Sequence, residues 1–168
     1  MLIYNRLKPK QNEFMIFHKS RHSLIGNTVN NQLTIAHDIS SQAKNQDIIT
    51  KNYATGRHIN AIHHSTLKSV YQFNNEKLLI IDSLGIYKVK SFRPDYVLLR
   101  QSPKINLNRL IDSLQPKHII ADGSNYKSYI QLWDDICKKR KIPFHPTQKK
   151  RRLYYFLLIA KALLPQFY

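Results

Sequence analysis

Residues 96–145 read YVLLRQSPKINLNRLIDSLQPKHIIADGSNYKSYIQLWDDICKKRKIPFH, and the order of apolar and polar segments within them indicates the architecture. Short apolar runs bounded by polar residues predict strands at 96–99, 118–121 and 142–145. The last run suits a sheet edge, because proline is tolerated there. The segments between the runs have helical spacing. The order strand, helix, strand, helix, strand predicts a βαβαβ unit with parallel strands.

The two helices are predicted from their ends and from their apolar faces. Asn106 is the expected cap of the first helix, and Pro116 ends it. The apolar positions of this helix follow the i, i+3, i+4, i+7 rule at Leu107, Leu110, Ile111 and Leu114. Ser124 is the expected cap of the second helix. The apolar face of the second helix comprises Tyr126, Tyr129, Ile130, Trp133, Ile136 and Cys137.

The first half of the chain is predicted to be rich in strands. Apolar runs that predict strands lie at 14–17, 24–25, 33–36, 70–73 and 78–81. The pairs Asn30-Asn31 and Asn74-Asn75 favour hairpin turns, because asparagine tolerates left-handed backbone. Residues 40–50 are predicted to form a loop or a short helix. The fold class is therefore mixed α/β, a β-meander followed by βαβαβ, with two packed sheets and helices on an outer face.

The composition is that of a globular protein with an unusual charge. The chain has 168 residues, of which 42% are hydrophobic, and one cysteine excludes an intramolecular disulfide framework. No run of 18 apolar residues predicts a membrane span, and the first residues do not resemble a signal peptide. Lys and Arg number 27 against 10 Asp and Glu, a net charge of +17. Such a charge favours a polyanionic partner or an anionic membrane surface.

Two carboxylates follow predicted strands and are candidates for metal chemistry. Asp82 comes directly after 78–81, and Asp122 comes directly after 118–121. Carboxylates at strand ends can hold Mg²⁺ for phosphoryl transfer. Aspartates in such positions also cap the turn that follows, and a third acidic ligand is lacking. Both interpretations stay open at this point.

Other residues that could bind a metal, react or bind phosphate have simpler explanations. His63-His64 lacks the partners of HxHxDH or HExxH, so we expect two surface histidines. Cys137 and Trp133 fall on a helix face that is expected to be buried, so they are predicted core residues. Gly123 before a helix is at most a weak signal for phosphate binding.

Basic residues are the candidates for binding nucleic acid. We predict phosphate contacts from charge clustering at Arg6, Lys8, Lys10, Lys19, Arg21, Lys138, Lys139, Arg140 and Lys141. A further basic run at 149–152 precedes Tyr154 and Tyr155, whose rings can stack on bases. Residues 153–168 are strongly apolar and would need burial, a partner or a membrane surface as a helix.

The stretch from Leu78 to Thr147, with its segment ADGSNY at 121–126, resembles the C-terminal soluble domain of ComEC-family competence proteins. The earlier stretch NEFMIFHKSRHSLIGNTVNNQLTIAHD also resembles the part that follows their membrane core. The resemblance covers about residues 1–150. It implies a protein of the bacterial inner membrane that imports single-stranded DNA, and a metallo-β-lactamase-like sandwich as the terminal domain.

The resemblance also implies that this domain has lost its metal ligands. In metal-bearing members HHGS follows the strand that matches 95–99, whereas this chain has Arg100-Gln101-Ser102-Pro103. The HxHxDH motif is absent as well. We therefore expect no metal, no cofactor, no small-molecule substrate and no catalysis, in a degenerate metallo-β-lactamase-like domain. Family members carry transmembrane helices upstream, so we expect the chain to be a fragment whose partner is a membrane channel domain.

The end of the chain departs from the resemblance. The family's domain closes with a small apolar strand such as KGAFII, but residues 150–155 read KRRLYY. One extra A in a lysine codon tract converts codons for the first sequence into codons for the second. Our hypothesis is that residues 151–168 form a frameshifted tail, basic and apolar, and that the closing strand is lost.

Three functions follow from these observations. The first is a non-catalytic accessory domain of a DNA-uptake protein, which contacts single-stranded DNA or the channel. The second is a metal-dependent phosphodiesterase or nuclease that uses Asp82 and Asp122. The third is a structural module that only packs on its membrane domain. Affinity for DNA that falls steeply with salt distinguishes the first from the third.

Overall fold

The computed structural model describes residues 12–40, 48–87 and 92–148, and the backbone of residues 155–159. Ten strands and three helices lie within these ranges. The strands are β1 Glu13–Lys19, β2 His22–Val29, β3 Gln32–His37, β4 Ala61–Ser65, β5 Val70–Phe73, β6 Glu76–Ile81, β7 Tyr96–Leu99, β8 His118–Ala121, β9 Phe144–Pro146 and β10 Tyr155–Ile159. The helices are α1 Ile48–Gly56, α2 Leu107–Leu114 and α3 Lys127–Arg140. The predicted mixed α/β fold class is confirmed.

The first sheet has the strand order β10-β1-β2-β3-β4. Strands β1, β2 and β3 form the predicted antiparallel meander, and β4 is parallel to β3. The hairpin between β2 and β3 turns at Asn30 and Asn31, both with positive φ, as their sequence predicts. Strand β10 pairs with β1 from Glu13↔Ile159 to Phe17↔Tyr155. The expectation of a lost closing strand is therefore wrong at this edge, because residues 155–159 supply one.

The second sheet has the order β5-β6-β7-β8-β9 and contains the βαβαβ unit. Strand β5 is antiparallel to β6 across the Asn74-Asn75 turn, and β6 to β9 are parallel. The edge strand β9 lies at Phe144–Pro146, two residues later at its start than predicted. No helix among the described residues is long and apolar enough to cross a membrane.

Three apolar layers hold the molecule together. Between the sheets, side chains such as Phe14 and Ile16 from β1 pack on Ile80 and Leu98 of the second sheet. The opposite face of the second sheet packs on α2 and α3, and includes all four predicted apolar positions of α2 together with Trp133. The outer face of the first sheet packs on α1. Helices thus cover both outer faces, whereas the sequence had predicted helices on one.

Helix α1 begins at Ile48, inside the segment 40–50 for which the sequence allowed a loop or a short helix, but its extent to Gly56 was not predicted because contacts with the first sheet stabilise it. Its segment is mostly polar, and Tyr53 carries the main contact, edge-on to Phe17 with ring centroids 5.5 Å apart. The hydroxyl of Tyr53 donates to Glu13 at 2.8 Å, and Arg57 forms an ion pair with the same buried carboxylate at 2.9 Å. Burial of the Tyr53 ring raises the pKa of its hydroxyl. A local pattern of apolar residues cannot reveal such a helix.

Helices α2 and α3 differ in how they begin. The side chain of Asn106 accepts from the backbone N–H of Arg109 at 3.1 Å, so the predicted cap of α2 is confirmed. The predicted cap of α3 is wrong, because α3 is preceded by Tyr126 without a side-chain cap, and Ser124 bonds elsewhere. Tyr126 itself was expected in the core but is 72% exposed.

Candidate functional site

The parallel strands β6, β7 and β8 end in register. The residues that follow them, Asp82, Arg100 and Asp122, therefore stand side by side at the carboxyl-terminal edge of the second sheet. Ligands of α/β proteins bind at this edge, since the loops there leave a crevice. The side chains that meet at this edge are the candidate site.

Arg100 links the second sheet to the first. Its side chain is largely buried, with 9% of the residue exposed, and Nε donates to the hydroxyl of Ser23 on β2 at 2.9 Å. Its terminal nitrogen forms an ion pair with Asp38, which follows β3. The other oxygen of Asp38 accepts from the backbone N–H of Ser23 at 3.1 Å and lies 3.2 Å from Nδ1 of His22. The guanidinium is thus fixed between groups of the two sheets.

Asp122 is fully buried and lies on the other side of Ser23. Its Oδ2 accepts from the Ser23 hydroxyl at 2.5 Å, and its Oδ1 accepts from the N–H and hydroxyl of Ser124 at 3.0 and 2.5 Å. Burial raises the pKa of Asp122, against the hydrogen bonds and the charge of Arg100, which lower it. Ser23 accepts from Arg100 and donates to Asp122, so one hydroxyl joins the cation to the second carboxylate.

The segment ADGSNY holds the turn that carries Arg100. Gln101 and Ser102 both have positive φ, 56° and 50°, which is unfavourable for residues with a side chain. The backbone N–H of Gln101 donates to the hydroxyl of Ser124 at 2.8 Å, and that of Ser102 donates to Oδ1 of Asn125 at 2.8 Å. The hydroxyl of Ser102 in turn accepts from the N–H of Tyr126 at 2.8 Å. The N–H groups of Ser124 and Asn125, which follow Gly123, donate to Oδ1 and to the carbonyl oxygen of Asp122, so they are not free for a phosphate.

Gly123 brings the same loop against the β1–β2 turn. A Cβ at this position would lie 2.4 Å from the carbonyl oxygen of Lys19, and the carbonyl of Gly123 accepts from the N–H of Arg21 at 2.9 Å. Nearby, Nδ1 of His18 lies 3.1 Å from the hydroxyl of Thr147, and burial lowers the pKa of His18. The edge of the sandwich is therefore tightly closed around Asp122.

The two carboxylates predicted from the sequence are in different environments. Asp82 accepts from the backbone N–H of Leu84 at 3.0 Å, which is the turn-capping role. Strand β7 with Arg100 lies between Asp82 and Asp122, and neighbouring strands are about 4.8 Å apart. Among the residues that the structure describes, no three His, Cys, Asp or Glu side chains form a group that could hold a metal ion.

The remaining predicted residues lie away from this edge. His63 and His64 are exposed on β4, and Nδ1 of His64 lies 3.1 Å from Nε2 of His37. Trp133 and Cys137 are buried under α3, as predicted, and burial raises the pKa of the Cys137 thiol to about 12.

The candidate basic residues fall into separate groups. Lys19 ends β1 and Arg21 lies in the β1–β2 turn, beside the strand-end site. The exposed residues 138–141 lie at the far end of α3, which has 14 residues and thus a length of about 20 Å. Lys138 pairs with Asp134 at 3.0 Å, and Arg140 pairs with Asp112. Arg6, Lys8, Lys10 and the run 149–152 lie outside the described residues.

The sequence did not single out Ser23, Asp38 or Arg100 as a cluster. The position of Arg100 could have been noticed in the sequence. It follows the predicted parallel strand 96–99, and the predicted strands on either side are each followed by an aspartate. Asp38 follows a predicted strand of the other sheet. Ser23 had no signal, because it is a serine within a strand and its role depends on how the two sheets pack.

Comparison with known proteins identifies one family. The family model of the ComEC C-terminal domain matches residues 14–157. This match begins in β1, ends in β10 and spans the whole strand-end site. No curated protein and no solved structure matches the chain. The chain therefore belongs to the family of ComEC C-terminal domains, which are parts of membrane proteins of competence and DNA uptake.

Proposed function

We propose that this domain is a non-catalytic accessory of a DNA-uptake protein and that it contacts the phosphates of single-stranded DNA. The observation that carries the proposal is the run of four exposed basic residues, Lys138 to Lys141, at the end of α3. Phosphate contacts of this kind position a strand without reading its bases. The membrane channel domain is the other partner that we propose.

Two of these four charges are balanced and two are not. Lys138 and Arg140 have acidic partners, whereas neither Lys139 nor Lys141 forms an ion pair with any residue that the structure describes. Cations in the last turn of a helix are also stabilised by the helix dipole. That effect explains one or two lysines but not a run that continues past the helix end at Lys141. Excess positive charge of this kind suits a polyanion, because binding releases the counterions of the phosphates.

The experiment is the salt dependence of binding. We expect the 168-residue chain to bind a fluorescent single-stranded oligonucleotide at low salt, with affinity falling as salt rises. The variant Lys139→Gln/Lys141→Gln should reduce the slope of log K against log salt by about 1.4, since each contact to a single strand contributes about 0.7.

The matched control is Lys51→Gln/Lys68→Gln, which removes two exposed lysines from other elements. We expect its slope to stay closer to that of the unmodified chain. An equal reduction of the salt slope in both variants would show that the positive charge acts diffusely, and it would refute the assignment to α3. Absence of binding at low salt would leave the domain as a structural module that packs on its channel.

A further inference from the structure

A single guanidinium joins carboxylates that belong to the two sheets. Asp38 extends from the first sheet and pairs with Arg100 directly. Asp122 extends from the second sheet and reaches Arg100 through the hydroxyl of Ser23. Two acidic groups thus face one positive charge at the edge where the sheets meet.

A divalent metal ion does not fit among these residues. A metal held by Asp38 and Asp122 would need their oxygens as ligands, yet those oxygens already accept from Arg100, Ser23 and Ser124. A metal would also lie close to the positively charged guanidinium of Arg100, which repels a cation. The donor set is therefore complete without a metal.

We propose that Arg100 is a built-in cation that joins the strand ends of the two sheets, at a site whose residues do not fit a metal ion. It balances the charge of Asp38 directly and reaches Asp122 through the hydroxyl of Ser23, and so it cross-links the two sheets. The planar fork of arginine suits this role, since Nε bonds Ser23 while a terminal nitrogen bonds Asp38. The domain consequently needs no metal to stay folded. This inference concerns the scaffold and does not depend on DNA binding.

The first arm of the test uses the unmodified 168-residue chain. We expect no stoichiometric transition metal by elemental analysis of protein purified without chelator. We also expect the same thermal midpoint, Tm, with and without EDTA, and no rise in Tm on adding Zn²⁺ or Mn²⁺. A bound metal near one equivalent, or a Tm that falls with EDTA, would overturn the proposal.

The second arm removes the guanidinium. Arg100→Ala leaves two carboxylates without their cation, and we expect a fall in Tm of about 10 °C. Millimolar methylguanidinium chloride should restore part of this loss in the variant and leave the unmodified chain unchanged. The matched control is Arg140→Ala, which breaks the exposed pair with Asp112 and should cost little.

An equal fall in Tm for Arg100→Ala and Arg140→Ala would contradict the role of Arg100. So would a Tm of Arg100→Ala that methylguanidinium does not raise. If Arg100→Ala does not fold, Arg100→Lys and Arg100→Met replace it. Lysine keeps the charge without the fork, so we expect its Tm to lie between those of methionine and arginine. A methionine variant as stable as the lysine variant would refute the proposal.

Discussion

Gly123 illustrates how a single residue sets the closure of the strand-end site. Its Cα faces the carbonyl of Lys19 so closely that even a methyl group has no room. Two of the three nearest atoms are backbone atoms of Lys19, which cannot rotate away as a side chain can, and the third is Nδ1 of His18. The loop that contains Asp122 therefore approaches the β1–β2 turn only because position 123 lacks a Cβ.

We predict that Gly123→Ala lowers the free energy of unfolding by about 1–3 kcal/mol, because the added methyl group forces the two turns apart. The control is Gly56→Ala, at the end of α1, where a Cβ would meet no atom within 4 Å. That change should be neutral or raise stability by about 0.4–1 kcal/mol. Urea denaturation followed by circular dichroism measures both. A Gly123→Ala variant as stable as Gly56→Ala would show that the loops separate without cost.

Among the helices, α2 depends most clearly on its own sequence. Its four apolar residues are buried, and Asn106 supplies its cap. Helix α1 depends on Glu13 in another element, and α3 begins without a side-chain cap. The sequence did not predict the starts of α1 and α3 correctly. These are the helices that begin without a side-chain cap or depend on a residue of another element.

We predict that Asn106→Ala lowers the free energy of unfolding by about 1 kcal/mol, because the N–H of Arg109 loses its acceptor. Asn108→Ala makes the same substitution at an exposed position inside the helix. It should be neutral or slightly stabilising, since alanine has the higher helix propensity. Chemical denaturation of the two variants side by side measures the difference. Equal midpoints would indicate that the cap contributes nothing.

Local patterns in the sequence predicted what depends on neighbours along the chain. The strands other than β4 and β10, the hairpin at Asn30-Asn31 and the apolar face of α2 are of this kind, whereas β4 and β10 were not predicted. The site is different, because Ser23 and Asp38 come from one sheet and Arg100 from the other. No spacing relates residues that meet only when two sheets pack. Asp122 was found, but its partners were not.

Across the whole molecule, β10 completes the first sheet. Its five residues pair with β1, the strand that contributes Phe14 and Ile16 to the core between the sheets. The hypothesis that residues 151–168 arise from a frameshift stays a prediction, and sequencing the locus through codons 149 and 150 tests it.

We predict that a chain ending at residue 148 is less stable and self-associates, because β1 becomes an open edge. Five cross-strand pairs at about 0.2–1 kcal/mol each put the loss at about 1–5 kcal/mol. A chain ending at residue 159 keeps β10 and serves as the control. Thermal melts and analytical ultracentrifugation measure stability and association. Identical behaviour of the two truncated chains would mean that β10 does not contribute to the fold.

The pairing of β1 with β10 also has a consequence for the order of folding. Residue 13 meets residue 159, so the first sheet closes over nearly the whole length of the chain. Contacts this distant in sequence slow folding, because loop entropy is lost before they form. During synthesis this edge of β1 stays unpaired until residues 155–159 have left the ribosome. The growing domain thus exposes one unpaired edge of β1 until residues 155–159 have been made, and this is the interval in which aggregation or chaperone binding would occur.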